Sequence, residues 1–220
     1  MTSARASKLI DALEKARPEA DCALNFRKPF ELVIATILSA QCTDVRVNRV
    51  TPALFERYPD PRALAGAELN ELEEQIRSTG FFRSKARNLL SCATTLVDKH
   101  GGVVPSTLAE LVKLPGVGRK TANVVLGHAF GRAEGIAVDT HVLRVASRLG
   151  LAQAVRAPQV EAELMQLLPR ERWTRTTDVL IFHGRKVCAA RKPACSSCTL
   201  FPDCRWEERL ERAAKIKPER

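Results

Sequence analysis

Three features of the sequence predict an all-α fold in two helical lobes. Apolar residues recur at helical spacing along almost the whole chain. Strand signals are nearly absent: Gly135-Ile136-Ala137-Val138 looks extended, but it is short and has no evident partner. The apolar and acidic middle contrasts with a basic, cysteine-bearing C-terminal part. Leu9, Ile10 and Leu13 mark a first amphipathic helix that stops before Pro18. Pro29 to Leu38 is apolar nearly all round, with proline at the first helical position, and reads as a buried helix. Thr43 caps a helix from Asp44 towards Tyr58, which Pro52 should kink or divide. Helices over 68–78 and 84–100 are each followed shortly by a glycine. Those over 107–112 and 118–130 form a pair around Leu114-Pro115-Gly116-Val117-Gly118, and 139–149, 158–168 and 172–187 complete the set.

Hydrophobic residues make up 45% of the 220, enough for a packed core and against wholesale disorder. No apolar run approaches the roughly 20 residues that span a bilayer. Asp11 and Glu14 interrupt the N-terminal apolar residues, so no signal peptide is expected. A cytoplasmic protein with no membrane partner follows. The 35 Lys+Arg exceed the 25 Asp+Glu, for a net charge of +10, and half of that excess lies in the last 37 residues. Such a balance suits a polyanion partner, nucleic acid being the commonest, or simply a solvated basic surface.

Seven cysteines, an odd number without an export signal, argue against a disulfide framework. Cys22, Cys42 and Cys92 stand among helix-like apolar residues and read as packing. Cys188, Cys195, Cys198 and Cys204 instead give C-x6-C-x2-C-x5-C, four thiolates within 17 residues that can close around a structural metal. Spacing alone leaves zinc and [4Fe–4S] open. Arg185, Lys186, Arg191, Lys192 and Arg205 surround these ligands. They can contact phosphates from a pinned loop, or offset the charge of a thiolate-ligated metal.

Between the paired helices, Gly116 and Gly118 allow tight backbone geometry and leave amides accessible at a helix start, where an anion binds. Gly116, Val117, Gly118 and Thr121 are thus expected around a backbone phosphate, in a helix–hairpin–helix spanning about 107–130 that grips DNA without reading sequence. Lys120 has two readings: a charged phosphate contact, or a nucleophile whose proton the helix dipole and partial burial help to release. Asp139 is either a plain N-cap or a carboxylate that stabilises positive charge developing on a sugar. His141 is either a helix-start contact or a DNA ligand.

These motifs, with Leu38-Ser39-Ala40-Gln41-Cys42-Thr43-Asp44 and Val138-Asp139-Thr140-His141, resemble the endonuclease III family of helix–hairpin–helix DNA glycosylases along nearly the whole chain. The resemblance implies a six-helix barrel lobe over 22–132 and a cluster lobe over 1–21 and 133–211, with its cluster loop at 188–204. It also implies a DNA-binding cleft between the lobes and a flexible basic tail at 212–220. It implies a [4Fe–4S] cluster on the four cysteines, Lys120 as the nucleophile at C1′ and Asp139 as the activating carboxylate. The implied activity is a bifunctional glycosylase and abasic-site lyase that removes oxidised or ring-saturated pyrimidines from duplex DNA and cuts by β-elimination. A monomer is expected, associated with the nucleoid when at work. Gln41 would fill the gap left by the extruded nucleotide, and the Gly80-Phe81-Phe82 loop would supply a wedge, the alternative being that Phe81 and Phe82 pack this loop onto the core; a smaller aliphatic residue is the family pattern at Phe81. Arg191 and Lys192 would meet phosphates.

Two other functions compete. A monofunctional mismatch glycosylase of the same superfamily would lack Lys120, and the adenine-excising kind carries a further C-terminal domain, whereas this chain ends 16 residues after Cys204. A noncatalytic DNA-binding or redox-sensing protein would need neither Lys120 nor Asp139 in these settings.

Overall fold

The computed structural model describes residues 1–214; the rest of the basic tail expected at 212–220 lies outside the described residues. Twelve α-helices and four 3-10 turns account for all regular structure in that range, with no strand. The chain divides into two compact units, residues 22–134 and residues 1–21 with 135–220.

In the unit of residues 22–134, α2 (Pro29–Leu38) lies at the centre, with every residue from Phe30 to Leu38 buried. Its run of Leu, Val and Ile satisfies neighbours all round, and each such side chain contributes about 1.5–3 kcal/mol on burial. Glu31, itself buried, accepts the Arg27 N–H at 2.6 Å and so closes the helix start. α3 (Asp44–Arg57) begins at Thr43, whose hydroxyl accepts from Arg46 N. Pro52 does not divide α3. Its position is exposed, so the carbonyl one turn earlier, which proline cannot bond, lies on the solvent side. α4 (Pro61–Ala65) was not expected; five residues are too few to show a helical period, although Asp60 caps it and Pro61 starts it. α5 (Leu69–Ile76) ends in a 3-10 turn at Arg77–Thr79. α6 (Phe82–His100) starts two residues before the sequence suggests and packs on α4, α5 and α2. α7 (Leu108–Leu111) is trimmed because Thr107 and Val112 are its caps, and α8 (Arg119–Phe130) packs on α7 and α2.

The other unit buries Leu9, Ile10 and Leu13 of α1 (Ser3–Ala16), the face expected from their spacing. They join α9 (Thr140–Leu149), α10 (Ala157–Leu167) and α11 (Trp173–Lys186) in a second core. Residues 135–138 form no strand. They run buried into α9, and Ala137 N–H donates to Thr177 Oγ1 at 3.1 Å. Gly184 lets α9 and α11 approach: a Cβ there would stand 3.0 Å from His141 Cβ and 3.2 Å from Val145 Cγ2. After α11 the chain makes two 3-10 turns, Cys195–Ser197 and Phe201–Asp203, before α12 (Arg209–Ala214).

Candidate functional site

The hairpin is built from the core outward. Leu111, Leu114 and Val117 are buried and hold the turn in place, and Val117 N–H donates to Leu114 O at 3.0 Å. Val117 is therefore an anchor, with its amide already committed to the turn. Gly116 adopts φ +80°, and a Cβ there would press on Asn88 and Ile37 at 3.2 and 3.3 Å. Gly118 is exposed, has open space around its Cα and, lacking a side chain, cannot cap α8. Among the described residues no acceptor takes the N–H groups of Gly118, Lys120 or Thr121. An uncapped helix start with exposed amides is what an anion requires. Lys120 stands exposed in this first turn, so the partial burial invoked for it is not present.

In the other unit, Asp139 is the N-cap of α9. Its Oδ1 accepts from both His141 N and Val142 N at 2.8 Å. Both bonds fall on one oxygen, and Oδ2 is hydrogen-bonded to nothing among the described residues. The cap and the chemical reading thus fit the same carboxylate. His141 Nδ1 lies 3.0 Å from Arg144 Nη2. Arginine only donates, so Nδ1 accepts in this pair and the proton of the neutral ring sits on Nε2. Burial, which Arg144 and Arg185 reinforce and Asp139 and a backbone hydrogen bond at Gly184 oppose, holds the imidazole below its usual pKa. The same arginine donates to Gly184 O at 2.9 Å and Cys188 O at 3.0 Å, tying α9 to the start of the cysteine loop.

Cys188, Cys195, Cys198 and Cys204 line one cavity, beside Arg148, His183, Pro193 and Trp206. Arg148 donates to Cys188 Sγ at 3.3 Å and to Ala189 O at 2.9 Å, and its guanidinium lies 3.8 Å from the centre of the Trp206 ring. Burial pushes the Cys195 and Cys198 thiols up, and the other cysteines add to it. Four crowded thiols of this kind ionise together only when a cation shares their charge, so the donor set fits a metal centre. The loop closes through Ala194 N–H to Val187 O at 2.9 Å and leaves Arg191 and Lys192 exposed near its tip. Cys92, by contrast, is fully buried with its thiol pushed up to about 12 by burial, and Cys22 and Cys42 pack against the same core.

Gln41 and Phe81 share a property that the sequence did not disclose. They are the two non-glycine residues with positive φ among those described, at +52° and +48°. Gln41 is exposed; Phe81 is 66% exposed and not packed onto the core, whereas Phe82 beside it is partly buried against that core. Left-handed backbone at a bulky residue costs of order 1–3 kcal/mol and persists where neighbouring structure enforces it.

Residues 34–170 match the family described as HhH-GPD superfamily base excision DNA repair protein. Over 91% of both chains, the sequence is 52% identical to endonuclease III of Synechocystis sp.. It is 41% identical to endonuclease III of Escherichia coli, over 96% of this chain and all of the other. The fold superposes with TM-score 0.89 on a trapped covalent intermediate of endonuclease III with DNA, at 47% identity over 96% of this chain and 99% of that one. A thermostable thymine-DNA glycosylase shares the fold at TM-score 0.82 and 21% identity, over 96% of this chain and 98% of that one.

Proposed function

Because the chain belongs to the endonuclease III family of base excision DNA repair proteins, we propose that Lys120 and Asp139 carry its chemistry. The enzyme is a DNA glycosylase with abasic-site lyase activity that acts on damaged duplex DNA. The observation that carries the residue assignment is the placement of Lys120, exposed in the first turn of α8 behind an uncapped hairpin. The phosphate gripped by the hairpin amides brings a nucleotide to this lysine.

The unprotonated Nζ attacks C1′; the glycosidic bond breaks, and the base leaves with the electron pair and takes up a proton. Ring opening at C1′–O4′ gives the Schiff base. Loss of the C2′ proton then breaks C3′–O3′ and cuts the strand. Asp139 Oδ2 stabilises positive charge developing on the sugar while Oδ1 keeps α9 capped. Oxidised or ring-saturated pyrimidines are the proposed bases. Extrusion of the nucleotide costs a few kcal/mol, which Gln41 and Phe81 offset by occupying the vacated stack. Incubating the wild-type enzyme with abasic-site duplex and borohydride is expected to give a covalent complex; no complex would reduce the protein to a binding module.

The four cysteines are the proposed ligands of a [4Fe–4S] cluster. Membership of the endonuclease III family is what favours an iron–sulfur cluster over zinc on this donor set. Bound there, it would hold the 188–204 loop in shape and so fix Arg191 and Lys192 against phosphates. The purified protein should be brown and carry about four irons. Cys198→Ser should lose the colour and at least about tenfold in duplex affinity; stoichiometric zinc, or unchanged affinity without iron, would contradict this assignment.

Binding should weaken linearly in log–log form with salt, by about 0.9 per phosphate contacted. Arg191→Ala and Lys192→Ala should each lower that slope by about one. Fluorescence anisotropy across a salt series checks both, and unchanged slopes would remove these residues from the interface.

A further inference from the structure

Lys85 is a buried charged group that the proposed chemistry leaves unused. It is 4% exposed, near the start of α6, and its ammonium donates to Leu38 O and Thr79 O, both at 2.8 Å. No carboxylate is bonded to it among the described residues, and burial lowers its pKa, opposed by Cys42. A methionine or leucine would fill the same space without the cost of desolvating a cation. What the lysine adds is a fixed link between two carbonyls 41 residues apart in sequence.

Those carbonyls lead directly into the two strained positions. Leu38 precedes Gln41 by three residues, and Thr79 precedes Phe81 by two. Lys85 also holds the second loop through its backbone, since its own N–H donates to Phe81 O at 3.0 Å, where Ser84 Oγ donates as well at 2.9 Å. The first loop is drawn in by Ser39 Oγ, which donates to Thr36 O, and by Cys42 N–H, which donates to Ser39 O. Both left-handed residues thus project from loops anchored to one ammonium group.

We propose that Lys85 is a positioning residue that couples the Gln41 and Phe81 loops, so that both side chains enter the duplex as one rigid element. The proposal rests on the reading of Gln41 and Phe81 as the groups that replace the extruded nucleotide. Two loose loops would each order separately on binding; a tethered pair meets the unstacked site already ordered.

The test uses the full-length holoenzyme and Lys85→Met. The substrates are a duplex with one ring-saturated pyrimidine and the same lesion within a loop of mismatched bases, where little stacking opposes extrusion. Single-turnover excision from the duplex should fall at least tenfold, excision from the mismatched loop less than twofold, and affinity for undamaged duplex less than twofold. Equal losses on both lesion substrates would overturn the proposal, as a merely destabilised protein loses both. So would an unchanged duplex rate. An inactive wild type would instead reject the underlying reading. Hydrogen exchange of the free protein then still decides the coupling: amides at 39–42 and 79–82 should both speed up in Lys85→Met, and a change in neither loop or one alone overturns it. If Lys85→Met does not fold, Gln41→Ala, Phe81→Ala and the double variant serve in the native Lys85 background. Non-additive losses in duplex excision support coupling, and additive losses overturn it.

Discussion

Lys120→Ala is expected to abolish the borohydride-dependent adduct with abasic-site DNA and to cut excision by at least about 10³-fold, since the covalent route loses its nucleophile. Folding should be untouched. Lys120 is exposed on the first turn of α8, and alanine is the better helix former. Duplex affinity should fall by no more than a single phosphate contact, because the hairpin amides and Gly116 conformation remain. Gel analysis of the reduced mixture, with mass spectrometry of the wild-type adduct, checks the result. An adduct of normal yield in the variant would place the nucleophile on another side chain.

Asp139 allows chemistry and capping to be separated, because the two oxygens have different duties. Asp139→Asn retains an Oδ1 acceptor for His141 N–H and Val142 N–H, and asparagine caps about as well as aspartate. Stability should therefore change by only a few tenths of a kcal/mol, while excision falls about 10²–10³-fold with the loss of the negative charge. Asp139→Ala should lose the same activity and, in addition, about 1 kcal/mol from the missing cap. Thermal melts beside single-turnover rates measure both. If the two variants lose activity in proportion to their stability, Asp139 is a cap and nothing more.

Much of the candidate site was legible because its chemistry is local in sequence. The C-x6-C-x2-C-x5-C spacing needs only a short loop to bring four sulfurs to one cavity, and the cavity is there. The cap at Asp139 follows from a carboxylate standing before an amphipathic run, and it forms two bonds. The hairpin glycines sit where a turn requires them, although only packing reveals that Val117 faces inward with its N–H spent on Leu114. Lys120 shows the opposite limit: its place in the helix is readable, and its exposure is not.

What the order of residues determined by itself is the all-helical class, the long helices, the cysteine set and the residues offered for chemistry. These depend on period, capping and spacing, and interactions within a few residues decide them. Tertiary structure alone decided that Pro52 leaves α3 whole, that Gln41 and Phe81 adopt left-handed backbone, and that Lys85 links their loops. A proline is tolerated when its orphaned carbonyl meets solvent, and a strained or buried polar group when distant chain atoms hold it. Neither condition is visible until the helices have packed.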